Sequence, residues 1–496
     1  MKSDKLQDAI GMVDEQLISR AVLTQETEKR TDEEPAIKHA VLTQKNQKSK
    51  HRLRWLAPIA AALAVIVAAT AVFGNTPNMS TSAHAVCEAV YPQMASYPGS
   101  EIIPGFESRY DEWNEDRRAQ RAYFGAGENL NGFFKKTAGE FLFSDEMQNR
   151  IYSPINVFMA LAMLAEITDT QTRAQILDLL SASDIDTLRA QAHAVWNANY
   201  CDDGALTSIL ANSVWLNEDV EFKKGALDTL AQSYYASTYR GKMGSKDFTK
   251  TYKDWLNKQT DGLLTEYVDG IELDPELLMT LASTVLFRGK WENEFKEANT
   301  KAETFHAPDG DVICDFMHQT ETYGDVYWGE QFLATKKHLK NSGGDMWFIL
   351  PDENVSVNEL FTNDETLSFM FSNGEWDNAK SLRVNLAIPK FDVSSQLNLA
   401  DGLRNLGVTN CFDSEKADFS PLVANGQTAF ISQVNHGARV AIDEEGVTAT
   451  AYVEMHLAGA AMPPEDEVDF VLDRPFVFVI TSSDGMPMFV GVVNTP

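Results

Sequence analysis

Residues 55–74, WLAPIAAALAVIVAATAVFG, form a run of twenty residues without a single charge. As a helix rising about 1.5 Å per residue, such a run spans roughly 30 Å, the thickness of the hydrocarbon core of a bilayer. It is apolar all round, which does not suit a helix with one face in water. Pro58 falls in the first turn, where a missing N–H does no harm. Lys45, Lys48, Lys50, Arg52 and Arg54 precede the run with no acid among them, and basic flanks stay on the cytoplasmic side. The expectation is a single-pass signal-anchor helix at 55–74, a cytoplasmic tail at 1–54 and an extracytoplasmic remainder at the cell membrane. The tail is polar and mixed in charge, with one short amphipathic stretch at 10–22. A cleaved signal peptide is the rival reading, with Ala83, His84 and Ala85 as an A-x-A pattern, but a pre-sequence of more than fifty residues is long for one.

Beyond the apolar run, residues 75–124 are rich in Pro, Ser, Tyr and acid, which reads as a stalk. From Gly125 to Pro496 the texture is continuous globular alternation without repeats or low-complexity tracts, long enough for one large domain. The whole chain carries a net charge of −30 over 496 residues. The tail holds 11 basic and 9 acidic residues, so the rest carries about −32. Such a surface is soluble and self-repelling, and it argues against nucleic acid, whose phosphates require clustered Lys and Arg. Cys87, Cys201, Cys314 and Cys411 have no CxxC or Cys/His spacing, so no metal site is expected. Free or buried thiols are favoured over disulfides, because a large core needs no staple.

Within the large domain, Asn131–Leu142 and residues 157–164, 184–198 and 224–235 show helical spacing of apolar residues. Residues 383–389, 439–442, 476–481 and 488–493 are β-branched and aromatic runs bounded by turn residues. Helices early and strands late are the mark of an α+β domain.

No catalytic signature emerges. There is no GxSxG elbow, HExxH, Walker loop or dinucleotide-binding GxGxxG, and His306, His318 and His436 each stand alone. Ser153 precedes Pro154 in an SPIN turn, a helix-start signal and not a nucleophile. An enzyme is not expected.

The informative stretch is 444–462, EEGVTATAYVEMHLAGAAM. From Val447 to Leu457 the side chains alternate, with Val447, Ala449, Ala451, Val453, Met455 and Leu457 apolar. Eleven residues in period two describe a strand with one buried face. The pattern then gives way to AGAAMPPEDE, small and flexible, which suits proteolytic attack. Taken alone, this is also what an ordinary strand followed by an ordinary loop looks like.

Its context resembles the serpins, the serine protease inhibitors. Over Gly125 to Pro496 the ordered blocks are NRIYSPINVFMALAML at 149–164, LASTVLFRGKWENEF at 281–295 and the continuation to Asn299 and Thr300. Phe305, Met317–Gln319, LAIPKF at 386–391, Leu406–Val408, Phe412 and ADFS at 417–420 follow. FVLDRPFVFVI at 470–480 and FVGVVN at 489–494 complete them. The resemblance implies an α+β serpin fold of three β-sheets and eight or nine helices, with an exposed reactive-centre loop near the C-terminus. It implies a metastable inhibitor with no catalytic residue and no cofactor, acting as a monomer. A serine protease attacks the loop, forms an acyl-enzyme and is trapped when the cut loop enters the central sheet as a new strand.

The resemblance assigns the hinge to Glu444, Glu445, Gly446, Val447, Thr448, Ala449, Thr450 and Ala451, whose small side chains enter a sheet without overpacking. Val447 stands where Thr or Ser is usual, and Tyr452 where a small residue is usual. The shutter beneath the sheet falls on Ser153, Asn156, Ser283 and His436. Asn156 replaces the usual Ser and Ser283 the usual Asn, so the two are expected to exchange partners and present one amide and one hydroxyl to His436. Counting from Gly446 places the reactive bond after Ala460, and counting back from Pro475 places it after Ala461, with Met462 a third choice. A small apolar residue there points to an elastase-like or subtilisin-like target. The alternative is a non-inhibitory serpin acting as a surface binding or structural protein; the small, uncharged hinge favours inhibition.

Overall fold

The computed structural model describes residues 84–99, 106–424, 429–432, 434–447, 464 and 466–496. The tail at 1–54 with its amphipathic stretch, the anchor run at 55–74, Thr448, Ala449, Thr450, Ala451, Tyr452, and the reactive-bond residues Ala460, Ala461 and Met462 lie outside the described residues. Among the described residues no helix is long and apolar enough to cross a membrane.

The SPIN turn starts a helix as its residues dictate. Ser153 is the N-cap, its hydroxyl accepting from the backbone N–H of Asn156, with Pro154 in the first turn. The helix, Pro154–Glu166, is buried along almost its whole length, because it runs beneath the central sheet and has no face left for water. Asn131–Leu142, Ile185–Asn199 and Lys224–Tyr234 form where the apolar spacing placed them.

The central sheet has eight strands. Its main path runs Ala85–Cys87, Ala236–Gly241, Leu206–Asn217, Met279–Lys290, Gly446–Val447, Asn435–Ile442, Phe391–Asn398, with Cys201–Asp202 paired to the third. One face covers the core around Pro154–Glu166. The other carries Trp215 and Tyr239, stacked at 4.1 Å, against Phe248, Tyr252 and Trp255 of the helix Lys246–Gln259.

Nine further strands form one hydrogen-bonded network that divides into two sheets. Lys301–Ala307, Gly310–Trp328, Ala379–Pro389 and Glu467–Val471 make the first. Phe332–His338, Gly344–Pro351, Phe476–Ser482, Pro487–Val493 and Arg150–Tyr152 make the second. Among the described residues the two meet through Val326–Trp328 of the 19-residue strand, paired with Leu333–Thr335. With the central sheet, this gives the expected three.

Two expectations change. The described residues hold eleven α-helices in place of eight or nine. Phe106–Arg121 lies ahead of the resembling region, and Val357–Thr362 and Asp364–Met370 count separately because Asn363 ends one and caps the next. Residues 84–99 and 106–124, read as part of a stalk, lie instead against the domain. Ala85–Cys87 adds an edge strand to Ala236–Gly241. Tyr91 packs on Trp196 and Tyr200, and the Trp113 indole donates to Asp203 at 2.8 Å. Gln120 donates to the carbonyls of Ala198 and Tyr200. Aromatic groups spaced too irregularly to show a period anchor this segment one at a time. All four cysteines are free thiols, Cys201 and Cys411 buried.

Candidate functional site

Of the residues expected to form the hinge, Glu444, Glu445, Gly446 and Val447 are described, and Gly446 and Val447 are seated in the central sheet. Gly446 is in register with Lys290, and Val447 with Gly289 on one side and Ile442 on the other. Met279–Lys290 and Asn435–Ile442 share no direct register pair among the described residues; Gly446–Val447 joins them. Val447 is 2% exposed. Gly446 is required by space: a Cβ there would stand 2.3 Å from the carbonyl oxygen of Gly289 and 2.7 Å from the Cα of Lys290.

The approach to this seat is held by a turn at 291–295. The Trp291 N–H donates to the carbonyl of Glu445 and the Phe295 N–H to that of Glu444, each at 2.9 Å. The Trp291 indole donates to the carbonyl of Asp443, also at 2.9 Å. Three successive carbonyls ahead of Gly446 are thus engaged from one turn. The carboxylate of Asp443 accepts the N–H groups of Glu445 and Gly446.

The two hinge carboxylates differ. Glu444 accepts from Thr300 Oγ1 and Lys390 Nζ, both at 2.8 Å. Burial alone would raise its pKa, but these two bonds outweigh it and hold the carboxyl below its ordinary range. The same bond from Glu444 raises the ammonium of Lys390. Glu445 lies 3.9 Å from Lys290, a looser pair, and burial lowers the ammonium of Lys290. Trp291, Thr300 and Lys390 fall within the resembling blocks, where the sequence assigns them no role. Their register against the hinge follows from sheet pairing across 50 to 150 positions, which periodicity does not carry.

The residues expected to form the shutter lie together, but with bonds other than those expected. His436 Nε2 accepts the backbone N–H of Ser153 at 3.1 Å, so the imidazole is held as an acceptor. Asn156 Nδ2 donates to the backbone carbonyl of Ser283 at 3.1 Å. Among the described residues neither an amide nor a hydroxyl side chain bonds to His436. Asn156 is long enough to cross to the neighbouring strand, and a backbone carbonyl is the acceptor it finds there. His436 is 5% exposed with its ring 5.9 Å from that of Tyr152. Burial lowers its pKa to about 4. A cavity of about 20 Å³ lies beside the group, lined by Ser153, Asn156, Thr284 and Gly437 among others.

Among the described residues no group of His, Cys, Asp and Glu could hold a metal. Of the three lone histidines named earlier, two pair with single carboxylates, His306 with Asp311 and His318 with Glu303.

Residues 129–496 match the family model described as Serpin (serine protease inhibitor). Serpin-ZX of Arabidopsis thaliana is 29% identical over 368 residues, covering 70% of this chain and 92% of the relative. Alpha-1-antitrypsin 1-4 of Mus musculus is 27% identical over 377 residues, covering 74% and 88%. The native-state crystal structure of the thermophilic serpin tengpin superposes with a TM-score of 0.66 at 27% identity, covering 74% of this chain and 93% of that one. Proteins of this kind are in general inhibitors of serine proteases and not enzymes. The match covers most of the chain, and the chain belongs to the serpin family.

Proposed function

We propose that this chain is an inhibitory serpin of bacterial type, with its serpin domain at 125–496 held outside the cytoplasmic membrane by the 55–74 helix. It traps elastase-like or subtilisin-like serine proteases as a suicide substrate. The observation that carries the reading is the position of Gly446 and Val447 between Met279–Lys290 and Asn435–Ile442. A loop whose first residues already occupy the slot needs only to extend that pairing.

The proposed chemistry belongs to the protease. Its serine oxygen attacks the carbonyl carbon of Ala460 or Ala461, the proton passes to the departing nitrogen, and an ester joins enzyme and inhibitor. Insertion of Thr448 and the residues after it carries the ester away before water cleaves it. Burial of the apolar positions from Val447 to Leu457 stabilises the inserted state by several kcal/mol at about 25 cal/mol per Å². The basic flank at 45–54 and the uncharged run after it support the anchor. Tethering would protect the cell that carries the inhibitor.

The test is to incubate the full chain, in mild detergent, with pancreatic elastase. The expected result is a covalent band at the summed mass on a denaturing gel, and a released peptide that begins at Ala461 or Met462. A cut loop with no covalent band and no gain in heat stability would mean a serpin that binds without trapping. A cut form that gains heat stability and leaves elastase free would mean that only the protease class was wrong.

A further inference from the structure

A buried cation sits behind the hinge turn. Lys337, on the strand Phe332–His338, is 3% exposed. Its ammonium has three N–H groups and three acceptors: the carbonyl of Asn293 at 3.0 Å, Oε1 of Gln319 at 2.5 Å and Oε1 of Glu321 at 2.9 Å. It also stands 4.5 Å from the ring centroid of Phe295 and 5.8 Å from that of Trp291. Gln319 in turn donates to the carbonyl of Glu294 at 3.1 Å.

These contacts converge on the 291–295 turn. Its inner side is held through the carbonyls of Asn293 and Glu294 and the rings of Trp291 and Phe295. Its outer side presents the Trp291 N–H and indole and the Phe295 N–H to the carbonyls of Asp443, Glu444 and Glu445. The next hinge residues, Gly446 and Val447, are the ones paired in the sheet. A cation that serves only packing would not need to reach the turn whose donors hold the hinge.

We propose that Lys337 is a positioning residue for loop insertion: it holds the 291–295 turn in the orientation that keeps Gly446 and Val447 seated between the two central strands. It touches neither the hinge nor the protease, and acts through Trp291 and Phe295. This rests on the inhibitory reading above for its consequence, but not for the seating itself. Removing the ammonium leaves the Asn293 carbonyl and the Glu321 carboxylate without their buried donor. The turn then loosens, the seated hinge is less populated, and insertion starts later after cleavage. A slower insertion gives water more time to hydrolyse the acyl-enzyme, so more inhibitor is consumed per protease trapped.

The test compares the full chain with Lys337→Met and Glu321→Gln, and with Leu188→Ala as a control lowered in heat stability at a buried position on the helix Ile185–Asn199. The stoichiometry of elastase inhibition is titrated, and hydrogen exchange of uncut protein is followed over 443–447. Lys337→Met is expected to raise the stoichiometry about fivefold and speed exchange about tenfold, the scale of one lost charge-assisted hydrogen bond. Leu188→Ala is expected to move neither beyond its effect on thermal stability. Glu321→Gln keeps the volume of the side chain, so it serves if Lys337→Met does not fold, with a smaller change of the same sign. Unchanged exchange at 443–447 in the folded variants overturns the proposal whatever elastase does. If the unaltered chain traps no elastase while exchange still responds to Lys337→Met, the inhibitory reading fails and the positioning role stands.

Discussion

Val447 lies in register with Gly289 in the central sheet, with its side chain 2% exposed. The β-branched side chain that departs from the usual hinge residue is therefore already packed, with no hydroxyl to desolvate. A charge at this position would have to enter the same closed site at high cost. Val447→Arg is expected to leave cleavage by elastase intact while abolishing the covalent band, converting a trap into a substrate. Persistence of the covalent complex at an unchanged stoichiometry would count against the seated hinge as the start of insertion.

Gly446→Ala probes the same seat by size. Its Cβ would fall 2.3 Å from the Gly289 oxygen, so the backbone must shift. Overpacking of this kind costs about 1–3 kcal/mol. A lowered thermal midpoint together with faster hydrogen exchange at 446–447 is expected; a midpoint equal to that of the unaltered chain would mean that the strands separate freely.

His436 is expected to make the native state sensitive to acid. Its folded pKa is about 4, against an ordinary value of 6.5. The unfolded chain binds the proton first as pH falls, so this contribution is present above 6.5 and is lost between 6.5 and 4. The shift corresponds to about 3 kcal/mol across that window. Thermal midpoints measured from pH 7 to pH 4.5 should fall, and His436→Gln should flatten the slope over that range. An equally steep slope in the variant would assign the acid sensitivity to other groups.

The Asn156 amide bridges the helix Pro154–Glu166 to the carbonyl of Ser283 on the central sheet. Asn156→Ala is expected to lower stability by about 1 kcal/mol, while Ser283→Ala, which keeps the backbone acceptor, should cost less. Equal losses on thermal unfolding would restore a role for the Ser283 hydroxyl.

The segment before the matched region is also open to test. Trp113 is 7% exposed and its indole donates to Asp203. Trp113→Ala should destabilise the chain by about 3 kcal/mol, the scale of a lost buried indole. Limited proteolysis should then cut within 84–121. Resistance equal to that of the unaltered chain would show that the contact adds nothing.

Much of the fold could be read from the chain itself. The spacing in Asn131–Leu142, the SPIN turn and the alternating runs near the C-terminus each specify a local conformation, and residues close in sequence suffice to do so. The alternation from Val447 is local in the same way, but the hinge at 444–451 was an expectation that came from the resemblance and not from spacing. The resemblance named Ser153, Asn156, Ser283 and His436 together, but not the bonds they make. Asn156 reaches a backbone carbonyl, and no side-chain exchange rule could have named it.

What the sequence determined by itself is periodicity, composition and the order of blocks: an α+β domain of serpin type. Only the tertiary structure decided that Glu444 meets Lys390, that Lys337 lies behind the 291–295 turn, and that residues 84–99 and 106–124 are docked in place of standing free. These contacts join positions up to 150 or more apart. Sheet register and layer packing set such distances, and neither is encoded in any window of neighbouring residues.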